Sequence, residues 1–170
     1  TVYEWAPGRF YLVSAGAYER HDHDTLYKLL PKEGPVKLNP ITTRLGVLVL
    51  AGPNSRKVLQ KLTSTDLSNE AFPWLSGQAI SVGHTSCHAL RVNFVGELGF
   101  EFHHPIEQQV ALFDLLMEAG REFGIKPYGI KAMSSLSIEK SYRLVPRELS
   151  IEYSAYESGL DRFVHPNKGE

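Results

Sequence analysis

The stretch at residues 91–102, R-V-N-F-V-G-E-L-G-F-E-F, constrains the fold more than any other, because polar/apolar alternation breaks at two glycines and then resumes. That pattern predicts a strand, a tight turn and a second strand. Period-2 alternation puts Val92 and Phe94 on one face, and Gly96 and Gly99 supply the positive φ or close backbone approach that a hairpin or bulge requires. Glu101 stands between Phe100 and Phe102, so its carboxylate points away from the face those rings bury. It is either an ordinary solvent-facing residue, the usual state of Glu, or a positioned acceptor in a pocket.

The rest of the chain alternates strand-like and helix-like segments. Residues 2–5 and 9–14 read as two strands joined by Ala6-Pro7-Gly8. Residues 15–30 have helical character, with Leu26, Leu29 and Leu30 at helical spacing, and end at Pro31 before a linker through Pro40. The apolar run 45–51 suits a strand covered on both faces and closes in Gly52-Pro53. Asn54 or Ser55 can then N-cap a helix carrying Val58, Leu59 and Leu62. Strands are expected over 79–82 and 87–94. Residues 107–123, with Val110, Phe113, Leu116, Met117 and Phe123 on one stripe, read as an amphipathic helix stopped by Gly124. A further helix is expected over about 130–141, with Glu139 and Arg143 able to pair at i, i+4. Hairpins cannot join parallel strands, so the class is α+β with mixed or antiparallel sheets.

Composition narrows the partners. A chain of 170 residues with 42% apolar and 22% charged residues suits one domain, or one and a half. Its 18 basic and 19 acidic residues show no like-charge run, so neither nucleic acid nor a membrane surface is expected as a partner. No apolar run approaches the roughly 18 residues of a membrane span. The single cysteine, Cys87, excludes an internal disulfide, suits a reducing compartment and reads as a small buried side chain. His21-Asp22-His23-Asp24 could ligate a metal, but i and i+2 point apart on a helix, so a solvated helix start is expected. One ring of His103-His104 must face each side of a sheet, at an edge or in a loop. No G-x-G-x-x-G, P-loop, G-x-S-x-G or C-x-x-C motif is present.

Several blocks resemble one family. V-G-E-L-G-F-E at 95–101 is similar to the G-E-x-G-(F/W)-E hairpin of the aminomethyltransferases, meaning the glycine-cleavage T-protein and the folate-binding halves of dimethylglycine and sarcosine dehydrogenases. L-A-G-P-N-S-R-K-V-L-Q-K-L-T at 50–63, A-M-S-S-L-S-I-E-K-S-Y-R at 132–143 and Y-E-S-G-L-D-R-F-V-H-P-N-K-G at 156–169 resemble further family blocks in the same order. Met133 is similar to the apolar residue of the dehydrogenase branch, where T-proteins carry Arg. Two positions depart from the pattern: Phe94 stands where the family has Tyr, and Ser137 where it has Arg.

The resemblance implies a T-protein-like fold around a folate channel, with residues 1–40 a partial first subdomain and 41–170 a second subdomain and return segment of an internal fragment. It implies a tetrahydrofolate-binding domain of an FAD-dependent dimethylglycine or sarcosine dehydrogenase, capturing a one-carbon unit as 5,10-methylene-tetrahydrofolate. The partners would be folate, a small N-methyl amine and a flavin domain of the same chain, with FAD bound there. The compartment would be the cytoplasm or the mitochondrial matrix. Glu101 corresponds to the family's pterin-binding Glu: a pterin presents a 2-amino group and an N3–H side by side, two donors that suit one carboxylate. Trp74 and Phe94 are candidate ring walls. Glu97 would shape the turn, and Arg143 and Arg147 could meet a folate tail or lie on the surface. The family's catalytic Asp would fall before Thr1, leaving no catalytic residue in this stretch. A non-catalytic scaffold homologue, or another folate-dependent demethylase or methyltransferase of the same fold, remains open.

Overall fold

The apolar run and the carboxylate-bearing segment lie side by side. β3 (Leu45–Ala51) and β6 (Gly99–Pro105) pair antiparallel along their whole lengths, Leu45 opposite Pro105 and Ala51 opposite Gly99. β5 (Thr85–Leu90) flanks β6 on its other side and β4 (Gly77–Val82) follows, giving the order β3-β6-β5-β4, antiparallel throughout. The computed structural model describes residues 1–145 and 147–168.

Side chains alternate across this sheet, so each strand divides its residues between two environments. On one face Leu50, Ile80, Val82, Cys87, Ala89, Phe100 and Phe102 form the core with Leu67 and Phe72. Two helices cover it, α2 (Ser55–Gln60) through Val58 and Leu59 and α3 (Gln109–Gly120) through Leu112 and Leu116. Phe100 and Phe102 are fully buried, each contributing on the order of 1.5–3 kcal/mol through removal of its ring from water.

The second face is only partly covered. A hairpin of β1 (Val2–Ala6) and β2 (Arg9–Leu12), turned at Pro7-Gly8 as expected, lies over β4, β5 and β6. The Trp5 ring meets His88 at 3.9 Å between centroids, and the Tyr11 ring meets His103 edge-on at 5.3 Å. Tyr3 presses so closely on the sheet that a Cβ at Gly77 would lie 2.8 Å from its ring. The hairpin does not reach β3, whose Val47 and Val49 stay 44% and 40% exposed. The expectation that this strand is covered on both faces therefore fails, because β3 is the edge of an antiparallel sheet rather than an inner parallel strand.

Two further departures have local causes. Residues 91–94 do not continue β5: the Asn93 Oδ1 accepts the Val95 N–H at 2.9 Å and its amide donates to the Glu97 carbonyl, a side-chain-to-backbone turn that competes with the ladder. The hairpin exists, with 91–98 as its loop and Gly96 at φ +69. In α3 the buried residues are Leu112, Leu116, Ala119 and Gly120, whereas Val110 and Phe113 are exposed. A helix apolar on most sides does not announce which face the sheet will take. Gly124, at φ +68, stops the helical run as expected. α1 (Glu19–Leu29) has no buried residue, and α4 (Ile130–Glu139) falls in the expected place.

This one-sided core predicts unequal truncations. Phe100→Ala should cost about 3–5 kcal/mol in urea unfolding, and Val49→Ala, on the open face, under about 1 kcal/mol. Equal losses would contradict the assignment of faces.

Candidate functional site

Glu101 lies in the middle of an inner strand, on the face opposite the core rings, and is 8% exposed. That burial sets it apart from the ordinary solvent-facing glutamate. His103, two residues along the same strand and therefore on the same face, is 2% exposed. Its Nε2 lies 3.3 Å from the Glu101 Oε2, and its Nδ1 lies 3.1 Å from the Tyr11 hydroxyl. A second phenol, Tyr128, stands just before α4. Burial pushes the pKa of both tyrosines up, and the Glu101 charge raises them further, so both stay protonated donors. Among the described residues nothing donates to the Glu101 Oε1.

The sequence singles out Glu101 but not Tyr11, His103 or Tyr128 around it. The i, i+2 spacing of Glu101 and His103 was the available signal. Their contact with Tyr11 spans 92 positions and has no local signature. His103 and His104 do face opposite sides, but in an inner strand rather than at an edge or in a loop. His104 is fully buried toward the core, its Nδ1–H donating to the Pro105 carbonyl at 2.9 Å and its Nε2 without a partner among the described residues.

The blocks that carried the family resemblance hold one another. The Leu98 carbonyl accepts the Gly52 N–H at 2.8 Å and the Ser55 hydroxyl at 3.0 Å, joining the A-G-P-N-S turn to the loop before β6. Ser55 is thereby committed to this tie, and Asn54 takes the N-cap position with no side-chain cap bond. Glu97 pairs with Lys140 at 3.0 Å, fastening the loop to the end of α4. Ser137 is fully buried, its one hydroxyl proton set between the Met133 carbonyl, at 2.8 Å, and the Phe94 carbonyl. Arg143 donates to the carbonyls of Ser158 and Ser141 instead of pairing with Glu139.

Phe94 and Trp74 are both exposed, Phe94 on the 91–98 loop and Trp74 in the turn before β4. Among the described residues, no ring contact or hydrogen bond joins either side chain to Glu101. A groove of about 530 Å³ borders His103 and is lined by Trp5, Leu45, Thr63, Thr65 and His88, but not by Glu101. Cys87 faces the core, where burial pushes its thiol up to about 11, so it fills space rather than acting as a nucleophile. No group of three metal-capable side chains converges among the described residues, and His21 pairs with its neighbour Asp22. No helix among them is long and apolar enough to cross a membrane.

His88, under Trp5, has its pKa lowered from 6.5, first by burial and then by its neighbours His103 and Arg9. The folded state thus disfavours its imidazolium, and the stability it contributes is complete above about pH 6.5 and lost as pH falls through the depressed value. His88→Gln should lessen the fall in Tm between neutral pH and about pH 5. An unchanged slope would remove His88 from the acid response.

Similarity to known proteins follows the same blocks. The chain is 41% identical over 169 residues to mitochondrial dimethylglycine dehydrogenase of Homo sapiens, covering 99% of the chain and 20% of that protein. It is 36% identical over 152 residues to mitochondrial sarcosine dehydrogenase of Homo sapiens, covering 89% of the chain and 17% of that protein. An aminomethyltransferase of Thermoanaerobacter sp. (strain X514) is 33% identical over 171 residues, covering 99% of the chain and 45% of that protein. The chain thus spans about a fifth of the dehydrogenases it matches. Among solved structures, the heterotetrameric sarcosine oxidase of Corynebacterium sp. U-96, in complex with pyrrole 2-carboxylate, shares the fold at a TM-score of 0.53 and 23% identity, over 62% of this chain and 52% of that one. The domain family described as GCVT N-terminal domain matches residues 1–168, and the chain belongs to it.

Proposed function

We propose that the chain is a tetrahydrofolate-binding domain of a dimethylglycine or sarcosine dehydrogenase, in which Glu101 clamps the pterin edge. The single observation that carries this is the state of the Glu101 carboxylate: nearly buried, held at one oxygen and free of protein donors at the other. A carboxylate has about four lone-pair positions, and His103 takes one, leaving room for two parallel N–H groups on a planar ligand. The family match and the identity to dimethylglycine dehydrogenase support the folate class. Trp74 and Phe94 are proposed as stacking walls, the division near residue 40 as a subdomain boundary, a flavin domain as partner and a mitochondrial location from the dehydrogenases' names.

Bound tetrahydrofolate would supply the nitrogen that takes up a one-carbon unit. The part of this chain is orientation: Glu101 fixes the pterin plane and the tied loop sets the wall carrying Phe94. Ser137 anchors that loop through the Phe94 carbonyl, so the family's Arg position is here filled by a short hydroxyl. Ser137→Ala would leave that carbonyl without its side-chain donor and should destabilise the protein by about 1–3 kcal/mol in urea unfolding. No loss would show that the hydroxyl bond contributes nothing net.

The test is calorimetric titration of the full-length protein with 5-formyl-tetrahydrofolate. Glu101→Ala should weaken binding by about 1.5–3 kcal/mol, the worth of hydrogen bonds to a charged group. Unchanged affinity would remove Glu101 from the site. A folded protein that binds no folate at all would favour the scaffold homologue.

A further inference from the structure

We infer that Tyr11 and His103 form a positioning relay that holds the Glu101 carboxylate in one orientation toward a planar ligand edge with two adjacent N–H donors. The inference rests on the folate reading above and adds two residues to it. The Tyr11 hydroxyl meets the His103 Nδ1 at 3.1 Å, and the Nε2 of the same ring meets the Glu101 Oε2 at 3.3 Å. One arrangement of protons satisfies every bond with a neutral imidazole: the tyrosine O–H donates to Nδ1, and Nε2–H donates to the carboxylate. The opposite tautomer would set the Nε2 lone pair against a carboxylate oxygen. Donation from Tyr11 therefore selects the tautomer that makes His103 a donor, as partner hydrogen bonds do for imidazoles elsewhere.

The surroundings leave this work to those two residues. Tyr11 faces His103 from β2, Glu101 from its own strand and His88 from the paired position on β5, while β3 presents Val47. Arg9 acts on His88, and Tyr128 lies within the field of Glu101. The Glu101 Oε2 is fastened at the end of a three-residue chain that crosses from the hairpin to the sheet, while Oε1 accepts nothing among the described residues and keeps some exposure, open to a ligand's donors. Holding one oxygen and presenting the other removes the rotation that a ligand would otherwise have to arrest.

Calorimetry on the full-length protein separates the possibilities, with 5-formyl-tetrahydrofolate and its 2-desamino analogue as probes. Tyr11→Phe keeps the ring and deletes the proton, and should weaken the parent ligand about 2- to 10-fold. His103→Leu should weaken it about 10-fold or more, and His103→Gln, whose amide can both accept and donate, should restore most of the loss. Loss of the 2-amino donor should penalise the native protein more than it penalises Tyr11→Phe. Equal weakening of both ligands in the variants, or none, would overturn the relay while a sensitive Glu101→Gln control leaves the folate reading standing. Insensitivity of that control would overturn both.

Discussion

The antiparallel pairing of β6 between β3 and β5 is the constraint on which the rest depends. Over Glu101–His103, β6 pairs with a neighbour on each side, so there its side chains alone meet what lies above and below. Phe100 and Phe102 go down into the helices; Glu101 and His103 go up. A slip of one residue in register would exchange these sets, putting a carboxylate in the core and rings against the hairpin. The energetic preference for burying two phenylalanines is thus also what presents the carboxylate on the other face.

What surrounds the carboxylate is assembled from distant parts of the chain. The hairpin brings Tyr11 from the first strands and the segment before α4 brings Tyr128, while the loop 91–98 leads into the strand that carries Glu101. That loop is fixed at several points: Asn93 within it, Leu98 to the turn before α2, and Glu97 and Phe94 to α4. These ties are chiefly hydrogen bonds from short side chains to carbonyls, which set distances closely and lose little side-chain entropy. The exposed Glu97–Lys140 pair is partly open to water, so its weight is small beside the buried bond from Ser137.

The open side of β3 and the outer rings of Trp74 and Phe94 leave apolar surface beside this face. On the Glu101 side of the sheet the hairpin covers β4 to β6 through Tyr3, Trp5 and Tyr11. Those three aromatics are therefore packing residues and, at Tyr11, a hydrogen-bonding residue as well.

By itself the sequence determined the kinds of elements and the face of Glu101, since both follow from local rules: period-2 alternation, glycines at turns, apolar runs and stops at Gly124 and Pro31. The family was legible too, because its blocks are short and contiguous. Tertiary structure decided where alternation stopped being strand, as Asn93 turned the chain before Phe94 could join a ladder. It also decided which side of the nearly all-apolar α3 was buried, that β3 became an edge, and that Ser55 bonded across the fold instead of capping its helix. Above all it decided that Glu101 is buried and who holds it. A contact between Tyr11 and His103 depends on how a hairpin docks on a sheet, and no local pattern of residues encodes that distance.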